Sequence, residues 1–200
     1  VKQNKPFFTW MNTTRMHLFT HVRESMRGQS GMPGNEYGDG MVEHDGDVGK
    51  LLKALDDLGI ADNTIVVYTT DNGPNQFSWP DAATTPFRSE KDTNWEGAFR
   101  VPCLVRWPGV IKPGTVSNEI MSHNDWMPTL CSIAGEPDIV NKLKSGYTAN
   151  GINYKVHLDG YDQSSFLRNV NGSAANNNGT KSARDRFFYS DDDGLLVHYG

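Results

Sequence analysis

The most constraining feature of this sequence is a helical pattern followed by a short apolar strand that ends in polar residues. Residues 41–58 carry apolar side chains at spacings of three, four and seven, which predicts a helix, and Gly59 supplies its C-terminal stop. Residues 64–70 form a β-branched run with little alternation, which predicts a strand covered on both faces, as in an α/β sheet. Because ligands of open α/β sheets bind beyond the carboxyl ends of the strands, the residues after position 70 are candidates for a functional site.

Other segments with an aromatic, apolar or turn-flanked pattern also predict regular structure. They are strands at 6–11 and 101–107, a helix at 125–134 that ends at Gly135, and a β-hairpin made of 186–190 and 195–199. The long segments 13–40 and 73–90 lack a clear period and are predicted to be irregular, which in a compact domain often accompanies function.

The composition excludes several classes of function. The formal net charge is −5 and the basic residues are scattered, so no clustered basic face indicates a nucleic-acid partner. No apolar run approaches the about 20 residues of a membrane-spanning helix. A hydrophobic content of 36% is enough for a core, which excludes a wholly disordered chain.

Cys103 and Cys131 lie in apolar runs and are predicted to be small buried side chains, with a mutual disulfide or a reactive thiol as alternatives.

Four residues are candidates for chemistry. Asp71 and Asn72 stand at the end of the predicted strand and offer hard oxygen ligands, which suit Ca²⁺ or Mg²⁺, although an ordinary Asp-Asn-Gly turn has the same sequence. His17 follows the first predicted strand and can equally cap or pack. Lys91 lies in a loop, where a lysine is usually solvated. Taken separately, these signals leave both interpretations open.

Other candidates favour structural roles. His123 and Asp125 adjoin the helix predicted at 125–134 and are expected to cap or pack it. The three aspartates at 191–193 resemble a calcium loop only superficially, and a hairpin turn is the better interpretation. Glycosylation sequons, which matter only in a secreted eukaryotic protein, occur at Asn12, Asn171 and Asn178.

The segments taken in order resemble the C-terminal half of a type I sulfatase of the alkaline-phosphatase-like superfamily, with the arylsulfatases nearest. The resemblance rests on Lys5-Pro-Phe-Phe with His17, Asp45-Gly-Asp, Asp62-Asn-Thr through Asp71-Asn-Gly73, Lys91-Asp-Thr-Asn-Trp-Glu-Gly97, Arg100-Val-Pro and Ser122-His-Asn-Asp. It implies an α/β fold with a mixed, largely parallel sheet sandwiched by helices, incomplete in this chain. It also implies a catalytic part at 1–135 and, at 136–200, a loop-rich segment that leads into a small antiparallel C-terminal subdomain.

The resemblance assigns roles to the four candidates. Asp71 and Asn72 match the family's late pair of calcium ligands, Lys91 matches the lysine that contacts the sulfate, and His17 matches the histidine at the sulfate or its leaving oxygen. The implied reaction is hydrolysis of a sulfate ester of a small molecule or carbohydrate, with Ca²⁺ as the cofactor. A cation and an ammonium group stabilise the negative charge that develops on the sulfuryl oxygens.

The family's nucleophile, a formylglycine made from Cys or Ser in a C/S-x-P-x-R signature, has no match here. Cys103, Cys131 and Ser78 are not followed by that pattern. We therefore expect a fragment of a longer enzyme, inactive by itself, with a periplasmic or secreted location by resemblance. The alternatives are a phosphodiesterase or phosphonate hydrolase of the same superfamily, and a binding protein that kept the fold but lost the nucleophile. Phe77, Trp79 and Trp95 either line an aryl or sugar pocket or pack in the core.

Overall fold

The structure is a computed structural model and describes residues 4–170, 180–190, 194 and 196–199. The chain divides into two compact units, Val1–Val105 and Arg106–Gly200. Among the described residues, no helix combines the length and the apolar character needed to cross a membrane. The division of the family domain at 135 stays a prediction.

The first unit is built around the long helix α1, Glu36–Asp57. The helix begins five residues before the predicted start at position 41, because the side chain of Asn35 caps it by accepting a hydrogen bond from the Gly38 amide. The predicted stop is confirmed: Gly59 has φ +65°, and its amide donates to Asp56 O at 2.9 Å. Glycines near the start interrupt the apolar period, which is why the sequence pattern missed the first turns.

The strand predicted at 64–70 is confirmed as β1, Val66–Thr69, and the strand predicted at 101–107 as β2, Cys103–Arg106. They pair in a two-stranded sheet, and the short helix α2, Glu96–Phe99, precedes β2. The side chains of β1 are half-buried rather than covered on both faces, because only one neighbouring strand pairs with it in the described chain. The burial predicted for Cys103 is wrong for the same reason: it lies exposed on β2, whereas Cys131 is half-buried, and both are free thiols.

The strand predicted at 6–11 is wrong. These residues are irregular, and Phe7, Phe8 and Trp10 are 57%, 71% and 79% exposed. Aromatic composition favours a strand, but a strand also requires a neighbour that accepts and donates its backbone hydrogen bonds. Within the described chain, no strand pairs with this segment.

The second unit begins with the helix predicted at 125–134, which is confirmed. A 3₁₀ turn, His123–Asp125, leads into α3, Trp126–Ile133, and Gly135 follows with φ +99°. The remaining elements are α4 at Ile139–Ser145, the antiparallel pair β3 at Tyr147–Ala149 and β4 at Ile152–Tyr154, α5 at Ser164–Asn169, and the antiparallel pair β5 at Phe187–Ser190 and β6 at Leu196–Tyr199.

The pairing of β5 with β6 confirms the predicted hairpin, with Phe187 opposite Tyr199 and Ser190 opposite Leu196. The turn aspartates at 191–193 and the sequons at Asn171 and Asn178 lie outside the described residues.

The second unit has a small apolar cluster beside a buried charge. Phe166, Leu167 and Val170 of α5 and the residue after it are each less than a tenth exposed, and partly buried aromatic and aliphatic side chains pack against them. The Asp125 carboxylate is fully buried and accepts a hydrogen bond from the amide of Ser122, which forms a capping box. The predicted capping role of Asp125 is therefore confirmed.

Candidate active site

The candidate site lies in the first unit, directly after β1. Asp71 is exposed and Asn72 is half-buried. The side-chain amide nitrogen of Asn72 donates to Gly73 O at 2.7 Å, so its side-chain oxygen is the atom left for another partner. Both residues therefore offer carboxylate or amide oxygens at the end of the strand, as hard divalent cations require.

Lys91 is held next to this strand end through its backbone. Its amide donates to Pro74 O at 2.9 Å, two residues beyond Asn72. The Gly73 amide donates to Ala98 O at 2.7 Å, so the segment that carries Lys91 lies alongside residues 73–74. Lys91 itself is half-buried. The backbones of the predicted metal ligands and of the predicted sulfate-binding lysine are thus neighbours.

Two glycines allow this close approach. A Cβ atom on Gly73 would lie 1.8 Å from Gly97 O, and one on Gly97 would lie 2.1 Å from Ser89 O. Gly97 also donates its amide to Arg88 O at 2.7 Å. No side chain fits at either position without moving the backbone. The sequence marks the two glycines only by their positions in the Asp-Asn-Gly and Trp-Glu-Gly segments. It does not indicate that they are in contact, because they are 24 positions apart and no local pattern links them.

His17, which precedes α1 and β1 in the sequence, contacts the loop at 73–90 through its backbone. Its carbonyl oxygen accepts a hydrogen bond from Thr20 Oγ1 at 2.7 Å and one from the indole nitrogen of Trp79 at 3.4 Å. Trp79 is buried and lies in the loop that runs from Asn72 to Lys91. The imidazole of His17 is exposed, with Nδ1 3.1 Å from Leu18 O.

A buried carboxylate fixes the segment around His17 to α1. Glu43 is 6% exposed, and its carboxylate lies 3.0 Å from Arg15 and 2.6 Å from Arg23. The hydrogen bond from Arg15, together with the charge of Arg23, lowers the pKa of Glu43 although its burial opposes this. The two arginines therefore hold the backbone on both sides of His17 against the helix. Sequence reasoning missed Glu43, because a buried glutamate on a helix has no local signature.

His44 makes a second link between the same segment and the strand. Its two ring nitrogens lie 3.0 Å from Thr13 Oγ1 and 3.1 Å from the hydroxyl of Tyr68 on β1. The segment before His17, helix α1 and strand β1 are therefore joined by one half-buried imidazole.

The structure brings the four candidate residues into one unit. Backbone hydrogen bonds connect the segments of Asn72 and Lys91, and the Trp79 side chain connects the loop at 73–90 to the His17 carbonyl. Their side chains share no hydrogen bond or ion pair in the described part of the chain. Asp71 and Asn72 supply two of the six to eight oxygens that Ca²⁺ takes, and no group of three or more His, Cys, Asp or Glu side chains that could hold a metal occurs among the described residues. The donor types fit calcium, but the set is partial.

The similarity to known proteins covers most of the chain. Residues 1–136 match the Sulfatase family model. Human arylsulfatase A is 35% identical over 167 residues, which is 83% of this chain and 29% of that protein. Human N-acetylgalactosamine-6-sulfatase is 36% identical over 135 residues, 66% of this chain and 26% of that protein. This chain therefore spans less than a third of the length of these relatives.

A solved structure supports the same family. The crystal structure of PsFucS1 sulfatase from Pseudoalteromonas sp. superposes with a TM-score of 0.71 at 29% sequence identity, over 92% of this chain and 33% of that one. The match confirms the predicted fold class, of which the described elements form an incomplete part. This chain belongs to the sulfatase family and has part of its alkaline-phosphatase-like α/β fold.

Proposed function

We propose that this chain is the part of a sulfatase that binds the sulfate group and supplies the late half of its calcium site, and that the complete protein hydrolyses sulfate esters. The observation that supports it best is the backbone contact between Lys91 and Pro74, which sets a lysine beside Asp71 and Asn72 at the end of β1. Glycines at positions 73 and 97 permit this approach, because a Cβ atom at either position would clash with neighbouring backbone.

The proposed chemistry divides among three kinds of group. The ammonium of Lys91 binds a sulfuryl oxygen and stabilises the negative charge that develops as the S–O bond of the ester breaks. The imidazole of His17 donates a hydrogen bond or a proton to the oxygen that leaves with the alcohol. Asp71 and Asn72 would hold Ca²⁺, which supplies further charge stabilisation when bound. The nucleophile, a formylglycine by family resemblance, is proposed to lie outside this sequence.

The proposed substrates are aryl or carbohydrate sulfates. Relatives named for both classes match this chain, arylsulfatase A and N-acetylgalactosamine-6-sulfatase, each over part of its length. A periplasmic or secreted location is proposed from the family resemblance alone. The proposed limits of the family domain are 1–135, with 136–200 leading into the C-terminal subdomain.

The test is an assay with 4-nitrophenyl sulfate and calcium, on the 200-residue chain and on the complete polypeptide. We expect turnover from the complete polypeptide and none from the chain by itself, because the nucleophile is missing. In the complete polypeptide, Lys91→Ala and His17→Ala should each lower kcat/KM by about 10²-fold or more, as removal of charge stabilisation or of an acid–base group does. The matched control is Lys53→Ala, since Lys53 pairs with Asp57 on the exposed face of α1 and should not affect turnover.

Two results would contradict the proposal. Turnover by the 200-residue chain above background would show that a nucleophile lies within it. Faster hydrolysis of bis(4-nitrophenyl) phosphate than of the sulfate by the complete polypeptide would favour a phosphodiesterase of the same superfamily.

A further inference from the structure

The segment that leads to His17 is held on one stripe of helix α1. Three residues of this segment each meet a residue of that stripe. The contacts are Met16 with Gly40, Arg15 with Glu43, and Thr13 with His44. The helix residues share one face, because positions 43 and 44 come three and four residues after position 40. The backbone immediately before His17 is therefore fixed against α1.

The hydrogen bonds of His44 have a direction that the neighbouring groups determine. Thr13 Oγ1 donates its only proton to Arg15 O at 3.0 Å, so it accepts from His44 Nδ1, which is also 3.0 Å away. Nδ1 therefore carries the imidazole proton. The other ring nitrogen, Nε2, is then the acceptor of a neutral imidazole, and the hydroxyl of Tyr68 donates to it at 3.1 Å. A chain of three hydrogen bonds thus runs from Tyr68 through His44 and Thr13 to the backbone at Arg15.

This chain of hydrogen bonds links the two parts of the candidate site. Tyr68 lies on β1, three residues before Asp71, and Arg15 lies two residues before His17. The turn between them and the histidine closes where the His17 amide donates to Thr14 O at 3.4 Å. The imidazole of His17 is exposed, so its position depends chiefly on the backbone that carries it. Whatever fixes that backbone relative to β1 also fixes His17 relative to the end of β1.

We propose that His44 is a positioning residue, which sets the imidazole of His17 relative to the end of β1 and thereby supports its action on the leaving oxygen. The kinetic part of this proposal rests on the proposed function, whereas the structural part does not. His44 acts only through the backbone before His17. Without it, that backbone loses its connection to β1, and a misplacement of about 1 Å at a reacting group can cost about 10²-fold in rate.

The structural part is tested in the 200-residue chain by proton–nitrogen NMR with isotope-labelled histidine, at neutral to slightly basic pH. We expect the ring nitrogens of His44 to show a neutral imidazole protonated at Nδ1. His44→Leu should shift the ring resonances of His17. His44→Gln should restore them in part, because its amide group can still donate to Thr13 and accept from Tyr68. The matched control is His157→Leu, the same substitution at a side chain that is 64% exposed in the second unit, and it should leave the His17 resonances unchanged.

The kinetic part is tested in the complete polypeptide with 4-nitrophenyl sulfate and phenyl sulfate. Phenol is the poorer leaving group, so its departure depends more on a hydrogen bond or proton from His17. His44→Leu should lower kcat for phenyl sulfate about tenfold or more, with KM little changed, because the lost interaction is made in the transition state. The loss with 4-nitrophenyl sulfate should be smaller by about threefold or more, and His44→Gln should recover most of kcat. A variant that is only less stable would lose both activities in equal proportion.

The structural part is overturned if the imidazole of His44 carries its proton on Nε2, or if His44→Leu leaves the His17 resonances as they are in the parent chain. The kinetic part is overturned if His44→Leu lowers kcat for both esters by the same factor, or if His44→Gln is as slow as His44→Leu. Failure of the unsubstituted complete polypeptide to hydrolyse either ester would contradict the proposed function and overturn the kinetic part with it. The NMR result decides the structural part in every case, because it measures no turnover.

Discussion

At the scale of single residues, the carboxylate of Asp125 is the most deeply buried charge among the residues that the structure describes. Arg184 lies 2.8 Å from it and is 8% exposed, and the amides of Tyr161 and Ser122 donate to it at 2.8 and 2.9 Å. Burial raises the pKa of Asp125, but the hydrogen bonds from Arg184, Tyr161, Ser122 and Gln163 outweigh this, so the net pKa lies below its ordinary value. The carboxylate therefore stays charged and connects the start of α3 to the segment that precedes β5.

Replacing this carboxylate should be strongly destabilising. In Asp125→Asn, the guanidinium of Arg184 is left buried without its counter-charge, and loss of one partner of a buried pair costs about 3–5 kcal/mol. Asp185→Asn is the matched control, because Asp185 pairs with Arg186 at 2.7 Å on the surface and such pairs are worth about 0–1 kcal/mol. Urea unfolding of the two variants gives the comparison. Equal losses would show that Asp125 is not structurally special.

The pH dependence of stability follows from the same carboxylates. Hydrogen bonds from the backbone of Ser30 and Gly28 lower the pKa of Asp39, and a hydrogen bond from Arg15 lowers the pKa of Glu43. The pKa of Asp125 is lowered as well. The unfolded chain then binds more protons than the folded chain below the ordinary values of 3.8 and 4.5. The stabilisation is complete above those values and is lost as the pH falls through the lower folded-state pKa values.

We therefore expect the free energy of unfolding to be flat near pH 6 and to fall steeply below about pH 4. The measurement is urea unfolding at a series of pH values. Asp125→Asn, which has no carboxylate to protonate, should show a shallower fall than the parent chain. A variant with the same slope as the parent chain would contradict the assignment.

At the scale of elements, the contact between the end of β1 and the start of α2 depends on two glycines. Gly97→Ala would set a Cβ 2.1 Å from Ser89 O, and overpacking of this kind costs about 1–3 kcal/mol. Gly49→Ala is the control, because a Cβ on that residue of α1 meets nothing within 4 Å. This substitution should raise the free energy of unfolding by about 0.5–1 kcal/mol through helix propensity. Thermal or urea unfolding measures both. Tolerance of Gly97→Ala would show that this approach is not tight in solution.

At the scale of the whole molecule, the calcium site is predicted to be incomplete. Asp71 and Asn72 provide few of the oxygens that calcium requires, so we expect the 200-residue chain to bind Ca²⁺ with a Kd of about 10⁻³ M or weaker. Asp71→Asn should remove what binding there is, whereas Asp62→Asn, in the exposed turn before β1, should not. Calorimetry measures the affinity. Micromolar binding would show that further ligands lie within this chain.

The predictions from sequence succeeded where the signal is local. The period of three and four located α1, the β-branched run located β1, and the glycines at 59 and 135 located two helix ends. The prediction at 6–11 failed because aromatic composition carries no information about a pairing strand. The roles of His17, Lys91, Asp71 and Asn72 come from family resemblance and stay predictions.

The amino-acid pattern alone was enough to identify the family, to locate the main helix and strand of the first unit, and to name the residue types at the end of that strand. Three features depend on how distant segments fold together: the contact of Gly73 with Gly97, the burial of Glu43 and Asp125 beside arginines, and the open cleft that residues 77–81 line with residues 19–21. The reason is physical. Helix and strand propensities act over a few neighbouring residues, whereas burial of a charge or of a backbone contact depends on segments that approach only when the chain folds.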